Sequence, residues 1–65
     1  MLTTLQIVER LDRFGDDRMG GAQWLAAHFD EFSERDKDNM VEMVSKQWDG
    51  FPEKAKMLLW QAFST

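Results

Sequence analysis

His28 has the widest chemical range of any side chain in this sequence, and it is the only histidine. An imidazole can serve as a general base or a metal ligand near neutral pH. Asp30 and Glu31 lie two and three residues on, and no nucleophile adjoins it in sequence for it to activate. A structural zinc site needs four nitrogen or sulfur ligands, and the chain has no cysteine to supply them. His28 therefore reads as a helix residue at the edge of the core, with one ring nitrogen hydrogen-bonded.

Three other constellations fail on spacing. The run Asp36, Lys37, Asp38, Asn39 resembles the start of a calcium loop, which needs oxygen ligands at alternate positions, Gly at the sixth and Glu at the twelfth. Met40, Val41 and Gln47 occupy the fifth, sixth and twelfth positions instead, so calcium is not expected. Gly20 and Gly21 could let a phosphate approach a helix N-terminus, but no strand precedes them and the lysine-bearing P-loop spacing is absent. The segment from Gln23 through Leu25, Ala26 and Ala27, continuing at Ser33, has a faint helix-turn-helix outline. Its second helix would present Glu34, Asp36 and Asp38 to phosphate, and the turn glycine is missing. No cofactor, metal or catalytic residue is expected, and the chain is not expected to be an enzyme.

Two surfaces could do binding work. Asp30, Glu31, Glu34, Asp36 and Asp38 form an acidic cluster that could dock a basic partner by electrostatic steering, or could simply keep a helix junction solvated. The second surface is apolar. Five Phe, three Trp and five Met in 65 residues are a large supply of the side chains enriched where proteins meet. Trp48, Phe51, Met57, Trp60 and Phe63 crowd the C-terminal third, and a chain of this length has little interior to hold them all. Met57, Trp60, Trp48 and Phe51 are the expected partner-binding residues.

The elements that must position these residues follow from periodicity. Apolar residues recur at helical spacing and not in alternation, so an all-α fold is expected: a small bundle of about four short helices, near 4–14, 20–32, 34–49 and 52–63, in one domain over 1–65. Thr3 and Gln6 form a capping box for the first helix. Leu5, Val8, Leu11 and Phe14 follow at spacings of three, with Ile7 on the same broad face, and Gly15 is placed to end the helix in a left-handed conformation. The second helix starts either at an Asp16 or Asp17 cap, with both glycines inside it, or at Ala22 after a glycine turn. Leu25, Phe29 and Phe32 make its core face. Ser33 followed by Glu34 and Asp36 is a cap with acids in the first turn, which favours a break over one long rod. Pro52 suits the first helical position of the last helix, and Phe51 before it suits a hydrophobic staple. The expected core is Leu5, Val8, Leu11, Phe14, Leu25, Phe29, Met40, Val44, Trp48, Leu59 and Phe63.

On the last helix, Ala55, Leu59 and Phe63 form one face at spacings of four, while Met57 and Trp60 adjoin each other on another side. If the first face packs inward, the second stays open to solvent. A core in so short a chain rarely supplies more than about 3–5 kcal/mol without a staple, and no disulfide is possible here. A symmetric homodimer using the last helix is therefore expected. A net charge of −4 argues against direct nucleic-acid binding and against an anionic membrane surface. No apolar run approaches the ~20 residues of a membrane span. The start, MLTTLQIVER, has neither the basic stretch nor the apolar stretch of a secretory signal, and the cytoplasm is the expected compartment. The leading functional expectation is a non-enzymatic protein-binding module that covers a partner's surface as an inhibitor or accessory. A structural homodimer is the first alternative, and an acidic mimic of nucleic acid that blocks a nucleic-acid-binding protein is the second.

Overall fold

Each helix begins where a side chain or carbonyl can take up its free N–H groups. In the computed structural model, which describes residues 3–64, the Thr3 hydroxyl accepts from the Gln6 N–H at 3.2 Å, and Gln6 Oε1 accepts from the Thr3 N–H at 3.0 Å. This capping box opens α1, Thr4–Asp12. Asp17 Oδ1 accepts from the Gly20 N–H at 2.9 Å and opens α2, Arg18–His28. Of the two starts that the sequence allows, the aspartate cap is the one formed, and both glycines lie inside the helix. The Ser33 hydroxyl accepts from the Asp36 N–H at 3.2 Å and opens α3, Glu34–Lys46. Phe32 before it is extended, so the break expected at Ser33 is present. The last helix, α4, is Glu53–Ser64. The Pro52 carbonyl accepts from the Lys56 N–H at 3.0 Å, which makes Pro52 the cap residue and not, as expected, the first helical one.

The fold is all-α, a bundle of four helices with no strand among the described residues. The expected domain over 1–65 takes in Met1, Leu2 and Thr65, which lie outside them. The first three helices stop earlier than their apolar periodicity suggests, because their last turns wind more tightly. After α1, the N–H groups of Arg13, Phe14 and Gly15 reach back three residues instead of four, a 3-10 pattern common at helix ends. Gly15 then takes φ +55°, the left-handed turn anticipated for it. Phe29–Glu31 after α2 and Trp48–Gly50 after α3 are likewise 3-10 turns.

The buried core is Ile7, Ala22, Leu25, Phe29, Phe32, Met40, Val44, Ala55 and Leu59. The expected Leu25, Phe29, Met40, Val44 and Leu59 are in it. Val8, Leu11, Trp48 and Phe63 are only partly buried and pack around it, and Phe14 is half-buried as well. Leu5 is a correction: it is 67% exposed, while Ile7 is fully buried. A walk at spacings of three drifts about 60° per step around a helix of 3.6 residues per turn, so Leu5 and Phe14 cannot share a face. Ile7 and Leu11, four apart, set the true inward direction.

The helices α2 and α4 make the most extensive approach between elements. Gly21, Ala22 and Leu25 on α2 and Ala55 and Leu59 on α4 are all buried. That pairing fixes which side of α4 faces inward, and so which side is left outside.

Candidate protein-binding surface

With Ala55 and Leu59 fully buried and Phe63 stacked on Phe29 at 5.0 Å between ring centroids, one side of α4 is closed by the core. Met57 and Trp60 point the other way and are 62% and 67% exposed. They are three residues apart, so their side chains adjoin along the helix surface. Lys54 precedes Met57 by three residues and Lys56 precedes Trp60 by four, so the two lysines neighbour the apolar pair along the helix surface. Lys56 is held by Glu53 at 3.4 Å. With Lys54 and Lys56 against Glu53 alone, α4 has a positive balance in a chain whose net charge is −4.

Most of the aromatic surplus is used inside the molecule. Trp24, Phe29, Phe32 and Phe63 form a connected set of ring contacts at 5.0–6.2 Å. Trp48 and Phe51 are half-buried and pack against the core, so the four residues expected to bind a partner divide into an exposed pair and a packed pair. Phe51 does not staple α4, because Lys56 stands where the staple would need an apolar residue. Its ring lies under the Arg18 guanidinium instead, 5.4 Å from carbon to centroid. Arg18 Nη1 also donates to Gln47 Oε1 at 2.7 Å, which ties the start of α2 to the end of α3.

A groove of about 240 Å³ lies where α1, α2 and the end of α3 meet. Ala22, Leu25 and Val44 form its floor, Val8, Leu11, Phe14, Met43 and Phe51 its walls, and Asp12, Asp17 and Arg18 are at its rim. No residue of α4 lines it. The groove was not legible in the sequence, since its lining comes from three helices and two connecting segments, and no local pattern announces their meeting.

The acidic cluster loses a member. Asp36 is 8% exposed, and its carboxylate accepts from the Thr4 hydroxyl, so it ties α3 to α1 and does not face solvent as a docking surface requires. Asp30, Glu31, Glu34 and Asp38 are exposed. Glu31 accepts from His28 Nδ1 at 2.8 Å, and Glu34 pairs with Lys37 at 3.6 Å. The His28 ring lies 4.9 Å from Trp24, at the edge of the core as expected. Among the described residues no group of three His, Cys, Asp or Glu is placed to hold a metal ion, and no helix is long and apolar enough to cross a membrane. Comparison with known protein families, with curated proteins and with solved structures finds no match to this chain.

Proposed function

We propose that this chain is a non-enzymatic protein-binding module that covers part of a partner protein with the outward side of α4. The observation that carries this reading is the exposure of Met57 and Trp60, 62% and 67%, on a helix whose opposite side is sealed in the core. Apolar surface left in water forgoes roughly 25 cal/mol per Å² of burial. Tryptophan and methionine are also the types that interfaces favour, with tryptophan the commonest energetic anchor. Lys54 and Lys56 beside the pair give the partner's chemistry: an apolar pocket with carboxylates at its edge. Trp48 and Phe51, packed against the core, act as support for the end of α3 and the entry to α4. The same exposed pair favours a second reading, a homodimer in which the face serves another copy of the chain. The nucleic-acid mimic draws less support, because Asp36 is buried and Glu31 and Glu34 already hold internal partners.

Co-purification from the source cells tests the reading, with wild type, Trp60→Ala and a Leu5→Ala control at an exposed apolar position on α1. A specific partner should be retained by Leu5→Ala and lost by Trp60→Ala. Titration of that partner should then show Kd raised about 30-fold or more, the ~2 kcal/mol of an interface hot spot. A partner that binds a folded Trp60→Ala protein as tightly as wild type would remove α4 as the recognition element.

A further inference from the structure

We propose that the Met57–Trp60 side of α4 docks into the α1–α2–α3 groove of a second copy of this chain, a knob on one molecule meeting a hole on the next. This rests on the reading of that side of α4 as a recognition surface, and it names an occupant for a groove to which no role has yet been given.

Three observations bring the two together. The first is size and polarity. At about 240 Å³ the groove falls below the ~300–1,000 Å³ of ordinary small-molecule sites and is suited to one large side chain. Its floor and walls are aliphatic, thioether and aromatic, as an indole requires. The second is charge. Asp12 and Asp17 are at the groove rim, and Lys54 and Lys56 flank Met57 and Trp60 on α4. The rim cation, Arg18, is drawn aside by Gln47 at 2.7 Å and by the Phe51 ring at 5.4 Å. Asp17 already accepts from the Gly20 N–H and Lys56 is held by Glu53, so the pair left to meet across the contact is Asp12 and Lys54. The third is separation. No α4 residue lines the groove, so knob and hole are different surfaces of one molecule, and the contact between copies joins unlike patches. A contact centred on one tryptophan and one methionine falls well short of the ~1,200–2,000 Å² of a stable interface. The association is therefore weak, and it competes with any partner for Trp60 only at high protein concentration.

Sedimentation across a concentration series, from low to high micromolar, tests the proposal with the full chain. Wild type should associate at the upper end. Trp60→Ala removes the knob, and Met43→Lys places an ammonium on the groove wall; each alone should associate at least about tenfold more weakly, the effect of ~1.4 kcal/mol. An equimolar mixture of the two should regain association, because one supplies an intact hole and the other an intact knob. Should Met43→Lys fail to fold, Asp12→Lys takes its place, an exposed position at the C-terminal end of α1, where the helix dipole favours a cation. A wild-type chain that stays monomeric throughout overturns the proposal. So does a mixture no stronger than its components, the result that a contact of α4 with α4 would give. If groove variants associate normally while Trp60→Ala does not, the groove is refuted and α4 remains a recognition surface. Binding to a different protein is judged separately by the partner titration.

Discussion

Gly20 and Gly21 are neighbours in α2, and an added methyl group meets a different obstacle at each. A Cβ on Gly21 would sit 3.8–3.9 Å from Phe14 and Leu11, ordinary contact distance, and the residue is buried inside a helix where glycine costs up to about 1 kcal/mol relative to alanine. Gly21→Ala should therefore stabilise the protein by about 0.5–1 kcal/mol. A Cβ on Gly20 would lie 2.9 Å from Asp17 Cγ and 3.1 Å from the Phe14 ring. The Asp17 carboxylate is held there by its bond to the Gly20 N–H at 2.9 Å, so Gly20→Ala must displace the cap. Loss of a cap costs about 0.5–2 kcal/mol, which cancels or exceeds the helix-propensity gain. Urea unfolding of the two variants checks the pair: a midpoint above wild type for Gly21→Ala and none for Gly20→Ala. Equal gains at both positions would mean that the Asp17 cap contributes nothing. Sequence alone left both glycines open to either a turn or a helix. What decides between them is one carboxylate within reach of one N–H, a geometry that composition does not encode.

At the scale of elements, helix starts were more legible than helix ends. Thr3, Asp17 and Ser33 each place a side-chain oxygen within bonding distance of an N–H three residues on, and that requirement is written in residue type. The ends depend on whether the last turn reaches back four residues or three, and they fall where Phe29 and Trp48 pack on the core and where Gly15 takes its left-handed turn. The inward face of α4 was legible because Ala55, Leu59 and Phe63 keep to spacings of four. That of α1 was not, because a spacing of three drifts around the helix and took Leu5 inward in place of Ile7. Pairing between helices distant in the chain was wholly hidden, and the clearest case joins the starts of α1 and α3. The Thr4 hydroxyl donates to the buried Asp36 carboxylate, and Asn39 Nδ2 donates to Thr4 Oγ1 at 3.4 Å. Asp36 also lies in the first turn of α3, where the helix dipole favours an anion. Thr4→Val keeps the shape and removes the donor, leaving a buried carboxylate without that partner, so it should cost about 1–3 kcal/mol. Thr4→Ser keeps the hydroxyl and should cost less. Chemical denaturation ranks the three proteins, and a Thr4→Val protein as stable as wild type would show that the tether between α1 and α3 contributes no stability.

For the whole molecule, two aromatic residues give opposite expectations. Phe29 is 6% exposed and touches three parts of the bundle: Phe32 at 5.9 Å in a T-shaped contact, Phe63 of α4 at 5.0 Å, and Lys37 of α3, whose ammonium lies 5.7 Å from its ring centre. Removing it should cost about 3–5 kcal/mol, the usual range for a buried phenylalanine. A chain of this length has only about 3–10 kcal/mol of stability in all, with no disulfide to hold it. At 4–8 °C per kcal/mol for a domain of this size, Phe29→Ala should melt at least about 12 °C below wild type, or be unfolded at room temperature. Trp60 is the larger residue, yet it is 67% exposed and takes part in none of the ring contacts that join Trp24, Phe29, Phe32 and Phe63. Trp60→Ala should melt within a few degrees of wild type, since surface substitutions usually fall within about 0.5 kcal/mol. Circular dichroism melts at low protein concentration, where association does not add to stability, read both variants directly. The contrast also bears on function, because a recognition residue can be lost without loss of fold whereas a core residue cannot. Were Trp60→Ala to melt as early as Phe29→Ala, the outward side of α4 would be part of the folding core, and its exposure could no longer be read as a surface kept for a partner.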